Sequence, residues 1–87
     1  MIKEYTHKNH GTCSQSVTIT YDDETKKIIS VVFNRGCPGN TQGVSKLCVG
    51  RDLVEVRDLL KGTDCGGRGT SCPNELSKAI DDILNTL

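Results

Sequence analysis

Ser16-Val17-Thr18-Ile19-Thr20-Tyr21-Asp22-Asp23-Glu24-Thr25-Lys26-Lys27-Ile28-Ile29-Ser30-Val31-Val32-Phe33 is the stretch that decides the fold. Val17, Ile19 and Tyr21 alternate with Ser16, Thr18 and Thr20, the period of a strand with one face on a core. Asp22 to Thr25 is a run of turn formers. From Lys27 to Phe33 the β-branched and aromatic residues resume. Simple alternation there puts Ile29, Val31 and Phe33 on one face and Ile28 and Val32 on the other. Two such runs around a polar turn predict an antiparallel hairpin, with a weaker strand over about Ile2 to His7 pairing beside it.

Beyond the hairpin the apolar period lengthens to that of a helix. Asn40 to Val49 carries Val44, Leu47 and Cys48 at helical spacing and stops at Gly50. Asp52 with Glu55 resembles a capping box opening a second helix, whose Leu53, Val56, Leu59 and Leu60 form a stripe before Gly62. In the last helix Leu76, Ala79, Ile80, Ile83, Leu84 and Leu87 fall at i, i+3, i+4, i+7, i+8 and i+11. Pro73 suits its first position and Glu75 its third, which makes Cys72 the predicted N-cap. Asp81 and Asp82 fall on its polar face, where solvation is expected. Strands followed by helices predict an α+β domain: a three-stranded antiparallel sheet in the N-terminal half with about three helices packed on one face. Eighty-seven residues make a single domain, 1–87, with no internal repeat or linker.

Composition narrows the function. Eleven basic and eleven acidic residues cancel, and only Lys26 and Lys27 are adjacent cations. The aromatics are Tyr5, Tyr21 and Phe33, so neither the basic patch nor the stacking array of a nucleic-acid binder is present. With 34% hydrophobic residues and no Trp, the core must rest on Val, Ile and Leu, and it would gain from a staple. The N-terminal Met-Ile-Lys-Glu-Tyr-Thr-His-Lys lacks a signal-peptide apolar run, and no stretch reaches the length of a membrane span. A cytoplasmic location is therefore expected, where thiols stay reduced.

Five cysteines in such a chain suggest metal rather than disulfides, and the odd number argues the same way. Cys13 follows the first predicted strand and Cys37 follows the hairpin. Cys65 and Cys72 bracket the glycine-rich Gly66-Gly67-Arg68-Gly69-Thr70-Ser71. All four stand at element ends beside turn residues, where a scaffold holds ligands. Cys37-Pro38 and Cys72-Pro73 each precede a predicted helix, whose free N–H groups and dipole attract negative charge and so suit thiolate ligands. The competing possibility is that all four are small buried hydrophobes. The intervals match no zinc-knuckle template. Cys48 lies on a helical apolar stripe and is expected to pack in the core. His10 could reach a site near Cys13, although a histidine in a polar loop is expected to be solvated. No Ser-His-Asp set, P-loop or dinucleotide fingerprint is present.

Gly11-Thr12-Cys13-Ser14, Gly36-Cys37-Pro38-Gly39-Asn40, Cys65-Gly66 and Thr70-Ser71-Cys72-Pro73 together resemble the small four-cysteine members of the TSCPD family. Asn74 departs from the Asp of that signature. Related domains stand at the C-terminal end of adenosylcobalamin-dependent ribonucleotide reductases, so the resemblance implies an association with deoxynucleotide synthesis and a reductase as protein partner. An 87-residue chain is too short for a reductase's own catalytic apparatus, so any such activity would belong to the larger members. The order of elements is also similar to U-type iron–sulfur scaffold proteins, which keep cluster ligands where Cys13, Cys37 and Cys72 fall. Gln15 and Ser71 depart from that pattern, and Cys65 adds a fourth thiol. The expectation is a binding domain in which Cys13, Cys37, Cys65 and Cys72 hold Zn²⁺, favoured, or an iron–sulfur cluster. The alternatives are a redox module cycling Cys65 and Cys72 to relay electrons to a reductase, and a metal-free interaction domain.

Overall fold

The structure, a computed structural model, describes residues 1–9, 14–35, 38–63 and 71–87, with residues 38–40 described by their backbone alone. Strands β1 (Ile2–Lys8), β2 (Ser16–Asp22) and β3 (Ile28–Asn34) form an antiparallel sheet in the order β1-β2-β3. The register pairs Tyr5 with Ile19 and His7 with Val17 on one side, and Val17 with Phe33 and Ile19 with Val31 on the other. Residues directly opposite share a face, so these rows form the core side of the sheet.

Alternation in β3 breaks at its start. Thr20 pairs with Ser30, but Tyr21 pairs with Ile28, leaving Ile29 as an extra residue in a bulge. A one-residue insertion moves everything before it to the opposite face. Ile28 is accordingly buried, at 1% exposure, while Ile29 is 40% exposed. This corrects the expected facing of the two. The bulged end is pinned from outside the hairpin, since Ile28 N–H donates to the Arg51 carbonyl at 2.9 Å and its own carbonyl accepts from Gly50 N–H at 2.8 Å. The turn closes as predicted. The Asp22 carboxylate accepts from Glu24 N–H at 2.9 Å, and Lys26, at φ 60°, returns its N–H to the Asp22 carbonyl at 2.8 Å.

Helix α1 (Pro38–Cys48) begins before the expected Asn40, at a proline whose missing N–H costs nothing in a first turn. Gly50, at φ 81°, turns the chain out of it. Helix α2 (Leu53–Leu60) is capped by Asp52, whose carboxylate accepts from Val54 and Glu55 N–H. Only that half of the predicted capping box forms, because the Glu55 carboxylate instead meets Arg51 at 3.3 Å. Helix α3 (Cys72–Thr86) follows. It lies against β1 and β2, α1 covers β3, and α2 packs on α3.

The core joins Val17, Ile19, Tyr21, Ile28 and Val31 of the sheet to Leu53 and Val56 of α2 and Leu76, Ala79, Ile80 and Ile83 of α3. Burying each large aliphatic side chain contributes about 1.5–3 kcal/mol. Two stripe residues fall outside it, Leu47 at 68% and Leu59 at 67% exposure. Each helix rests on a different neighbour, so the flanks that α1 and α2 turn toward each other stay open. Leu87, the C-cap of α3, is also half exposed. Among the described residues no helix is long and apolar enough to cross a membrane.

Candidate functional site

Helix α3 starts at a formed cap. Ser71, in extended backbone at φ −156° and ψ 168°, accepts from Asn74 N–H at 3.1 Å through its Oγ. The same hydroxyl donates to the Thr63 carbonyl at 2.6 Å. Cys72 is therefore the first helical residue rather than the N-cap. A serine oxygen accepts a helix N–H far better than a thiol does, so the boundary settles one residue earlier than the sequence suggests. Asn74 uses its Oδ1 to accept from Gly62 N–H at 2.8 Å, binding the end of α2 to the start of α3. Asp would offer the same acceptor at the cost of a buried charge, because Asn74 is only 9% exposed.

Cys72 is a half-buried free thiol, and its Sγ lies 2.9 Å from the Oγ of Ser14. Ser14 is buried and accepts from the Asn9 side-chain amide at 2.7 Å. Asn9 is buried too, and its Oδ1 has no hydrogen-bond partner among the described residues. Both residues line a cavity of about 450 Å³ with Lys8, Gln15 and Ser16. Backbone bonds fix this corner. Asn9 N–H donates to the Gln15 carbonyl, and Gln15 N–H to the Asn34 carbonyl, each at 2.8 Å.

Of the four predicted ligands, Cys72 alone lies within the described residues. Cys13, Cys37 and Cys65 lie outside them, as do His10 and the glycine-rich segment after Asp64. Among the described residues no group of three or more His, Cys, Asp or Glu is arranged to hold a metal ion. What the structure does bring together are sequence neighbours of the predicted ligands. Ser14, next after Cys13, touches Cys72. Asn34, shortly before Cys37, is bonded to Gln15. Thr63 and Ser71, on either side of Cys65, are bonded to each other.

Cys48 behaves as expected of a core residue. It is 3% exposed, and burial pushes its thiol pKa up, with the Arg51 charge opposing in part. With Val44, Leu47, Arg51, Val56, Leu59 and Leu60 it lines an almost wholly apolar groove of about 190 Å³ between α1 and α2.

A polar layer between β1 and α3 escaped sequence reasoning. Tyr5 donates its hydroxyl to Asp82 Oδ2 at 2.9 Å, and this bond, with burial and the carboxylate charge, raises the Tyr5 pKa. His7 lies between two carboxylates, with Nε2 3.5 Å from Glu75 Oε1 and Nδ1 3.4 Å from Asp82 Oδ2. Glu75 is fully buried, and its Oε2 meets Lys78 Nζ at 2.8 Å. Asp81 pairs with Arg57 of α2 at 3.2 Å. The two aspartates thus tie elements together, where solvated charges were expected. The available signal was the joint register of Tyr5 and His7, two apart on a strand, with Glu75 and Asp82, seven apart on a helix.

Neither a curated protein nor a solved structure matches the chain. The family profile described as the TSCPD domain matches residues 2–84, nearly the whole length, and the chain belongs to the TSCPD domain family.

Proposed function

We propose that this TSCPD domain is a metal-binding accessory domain in which Cys13, Cys37, Cys65 and Cys72 are the ligands. Zn²⁺ is favoured over an iron–sulfur cluster, and the domain acts through a protein partner, a ribonucleotide reductase. The observation that carries this reading is the contact of Ser14 with Cys72 across the fold. It brings the immediate neighbour of one predicted ligand against another that lies 58 positions beyond that neighbour. The bonded pairs Gln15–Asn34 and Thr63–Ser71 support the same convergence from the flanks of the other two. The donor chemistry fits, because Cys72 is a free thiol at a helix N-terminus, where the dipole offsets the charge of a thiolate centre. A bound Zn²⁺ would supply a structural cross-link. A structural zinc site contributes about 10–16 kcal/mol of apparent binding free energy at neutral pH, against a usual small-domain stability of about 5–15.

The direct test is metal analysis of protein purified without oxygen, with amide hydrogen exchange before and after a strong chelator under reducing conditions. One metal centre per chain is expected, with protection of Leu76 to Leu87 falling on chelation before that of the Val17–Phe33 hairpin. Metal-free protein with full protection of the last helix would overturn the reading. A Cys65–Cys72 disulfide in that protein would put the redox module in its place.

A further inference from the structure

We propose that Ser14 is a positioning residue for the Cys72 thiolate: its hydroxyl donates a hydrogen bond to Sγ and is itself aimed by the side-chain amide of Asn9. This rests on Cys72 being a metal ligand. It adds two residues that are not ligands but set how that ligand behaves.

The direction of the relay follows from donor and acceptor capacity. A serine hydroxyl has one hydrogen and two lone pairs. The Asn9 amide donates to the Ser14 oxygen at 2.7 Å and so occupies a lone pair. At 2.9 Å the contact between Ser14 Oγ and Cys72 Sγ could run either way while the sulfur keeps its proton. A ligating sulfur has lost that proton, since metal binding requires the thiolate. A hydrogen bond between these two atoms then runs from the Ser14 O–H to sulfur.

The orphaned Asn9 oxygen is independent support. Turning the Asn9 side chain over would let Oδ1 accept the Ser14 proton, and Cys72 would lose its donor. The chain instead turns Nδ2 to Ser14 and leaves Oδ1 buried with no partner among the described residues, an orientation that calls for an explanation. Holding the Ser14 proton toward sulfur supplies one. Asn9 and Ser14 are both more than nine-tenths buried, so water does not compete freely for these bonds. The relay is built on backbone that is itself fixed, through Asn9 N–H to the Gln15 carbonyl.

A hydrogen bond to a metal thiolate stabilises the sulfur lone pairs, which raises the energy needed to move an electron from sulfur to metal. Outer-shell partners of this kind typically change metal affinity by about 10–100-fold. The test loads the full chain with Co²⁺ under reducing conditions. It reads the thiolate-to-Co²⁺ charge-transfer band and the affinity by chelator competition. Ser14→Ala should move the band to longer wavelength and weaken affinity about 10-fold or more, while Ser14→Thr, which keeps the hydroxyl, restores both. Asn9→Ala should move the band the same way by less, and it carries the test if Ser14→Ala does not fold. Wild-type chain that binds Co²⁺ through thiolates, with the band and affinity unchanged in the folded variants, overturns the role of Ser14 and Asn9 alone. Wild-type chain that shows no thiolate band overturns the metal centre and this inference with it.

Discussion

Ile28 and Ile29 are adjacent and identical, yet the bulge at the start of β3 gives them opposite fates. Ile28 is 1% exposed in the core, and Ile29 is 40% exposed on the other side. Truncating each to alanine removes the same atoms, and the loss of strand propensity, at most about 1 kcal/mol, is common to both. The difference between the variants therefore isolates burial. Ile28→Ala opens a cavity in the core beside its strand partner Tyr21 and should cost about 2–5 kcal/mol. Ile29→Ala should cost about 1 kcal/mol or less. With a urea slope near 1 kcal/mol/M for so small a domain, the midpoint of Ile28→Ala should fall at least about 1 M below that of Ile29→Ala. In thermal melts the same gap is about 4–8 °C or more. Both variants must be compared at one fixed metal concentration, because anything that binds only the native state shifts the transition. Equal losses, or a larger loss at Ile29, would mean that β3 runs in unbroken alternation and that the bulge is wrong.

Three further outcomes are expected. Ser71→Ala removes the acceptor of Asn74 N–H and the donor to Thr63, and should destabilise by about 1–2 kcal/mol in urea titration, whereas Ser71→Thr, which keeps both acceptor and donor, should lose less. Cys48→Val should leave metal content unchanged and cost no more than about 1–2 kcal/mol; loss of metal from a folded variant would make Cys48 a ligand. The raised pKa of Tyr5 has a sign that can be checked. Because folding favours the phenol, its bond to Asp82 contributes fully below the ordinary tyrosine pKa of about 10 and is lost as pH rises through the higher folded value. Tyrosine ring-carbon titration by NMR should place Tyr5 above 10 and bring it down in Asp82→Asn; no difference between the two proteins would remove the bond from the account.

Most of the fold could be read from apolar period, because a half-buried strand and an amphipathic helix each leave a repeating signature. What period cannot carry is an insertion. Nothing in Ile28-Ile29 marks which isoleucine turns inward; that is decided by Arg51 and Gly50, some twenty positions on, which take up the backbone of Ile28. Leu47 and Leu59 mislead for a related reason, since a stripe says that a helix has an apolar side but not how wide a contact it finds. At the site, the place of Cys72 at a helix start was legible from Pro73 and Glu75. The contacts of Asn9 and Ser14 were not, because the bond from Ser14 joins it to a residue 58 positions away and Asn9 meets Cys72 only through Ser14. The cap slipped by one residue at Ser71-Cys72-Pro73, where three adjacent types all favour a helix start and only the acceptor strength of the hydroxyl separates them.

Helix α3 combines two kinds of attachment that differ in what they specify. Its stripe of Leu76, Ala79, Ile80 and Ile83 supplies most of the buried area, but apolar contact is non-directional, and a helix shifted along its axis could still bury much of it. Directional contacts sit on the flanks of that stripe. Ser14 meets Cys72 in the first turn, His7 meets Glu75 next, Tyr5 meets Asp82 two turns further on, and Arg57 and Gly62 of the α2 region hold Asp81 and Asn74. Each of these is satisfied at one axial position only, and a shift of one turn, about 5.4 Å, would break all of them together. Glu75 adds to the constraint, because a shift would carry this fully buried carboxylate away from His7 on β1. The apolar stripe therefore sets how strongly α3 binds, and the polar ties set where. That placement is what delivers Cys72 to Ser14.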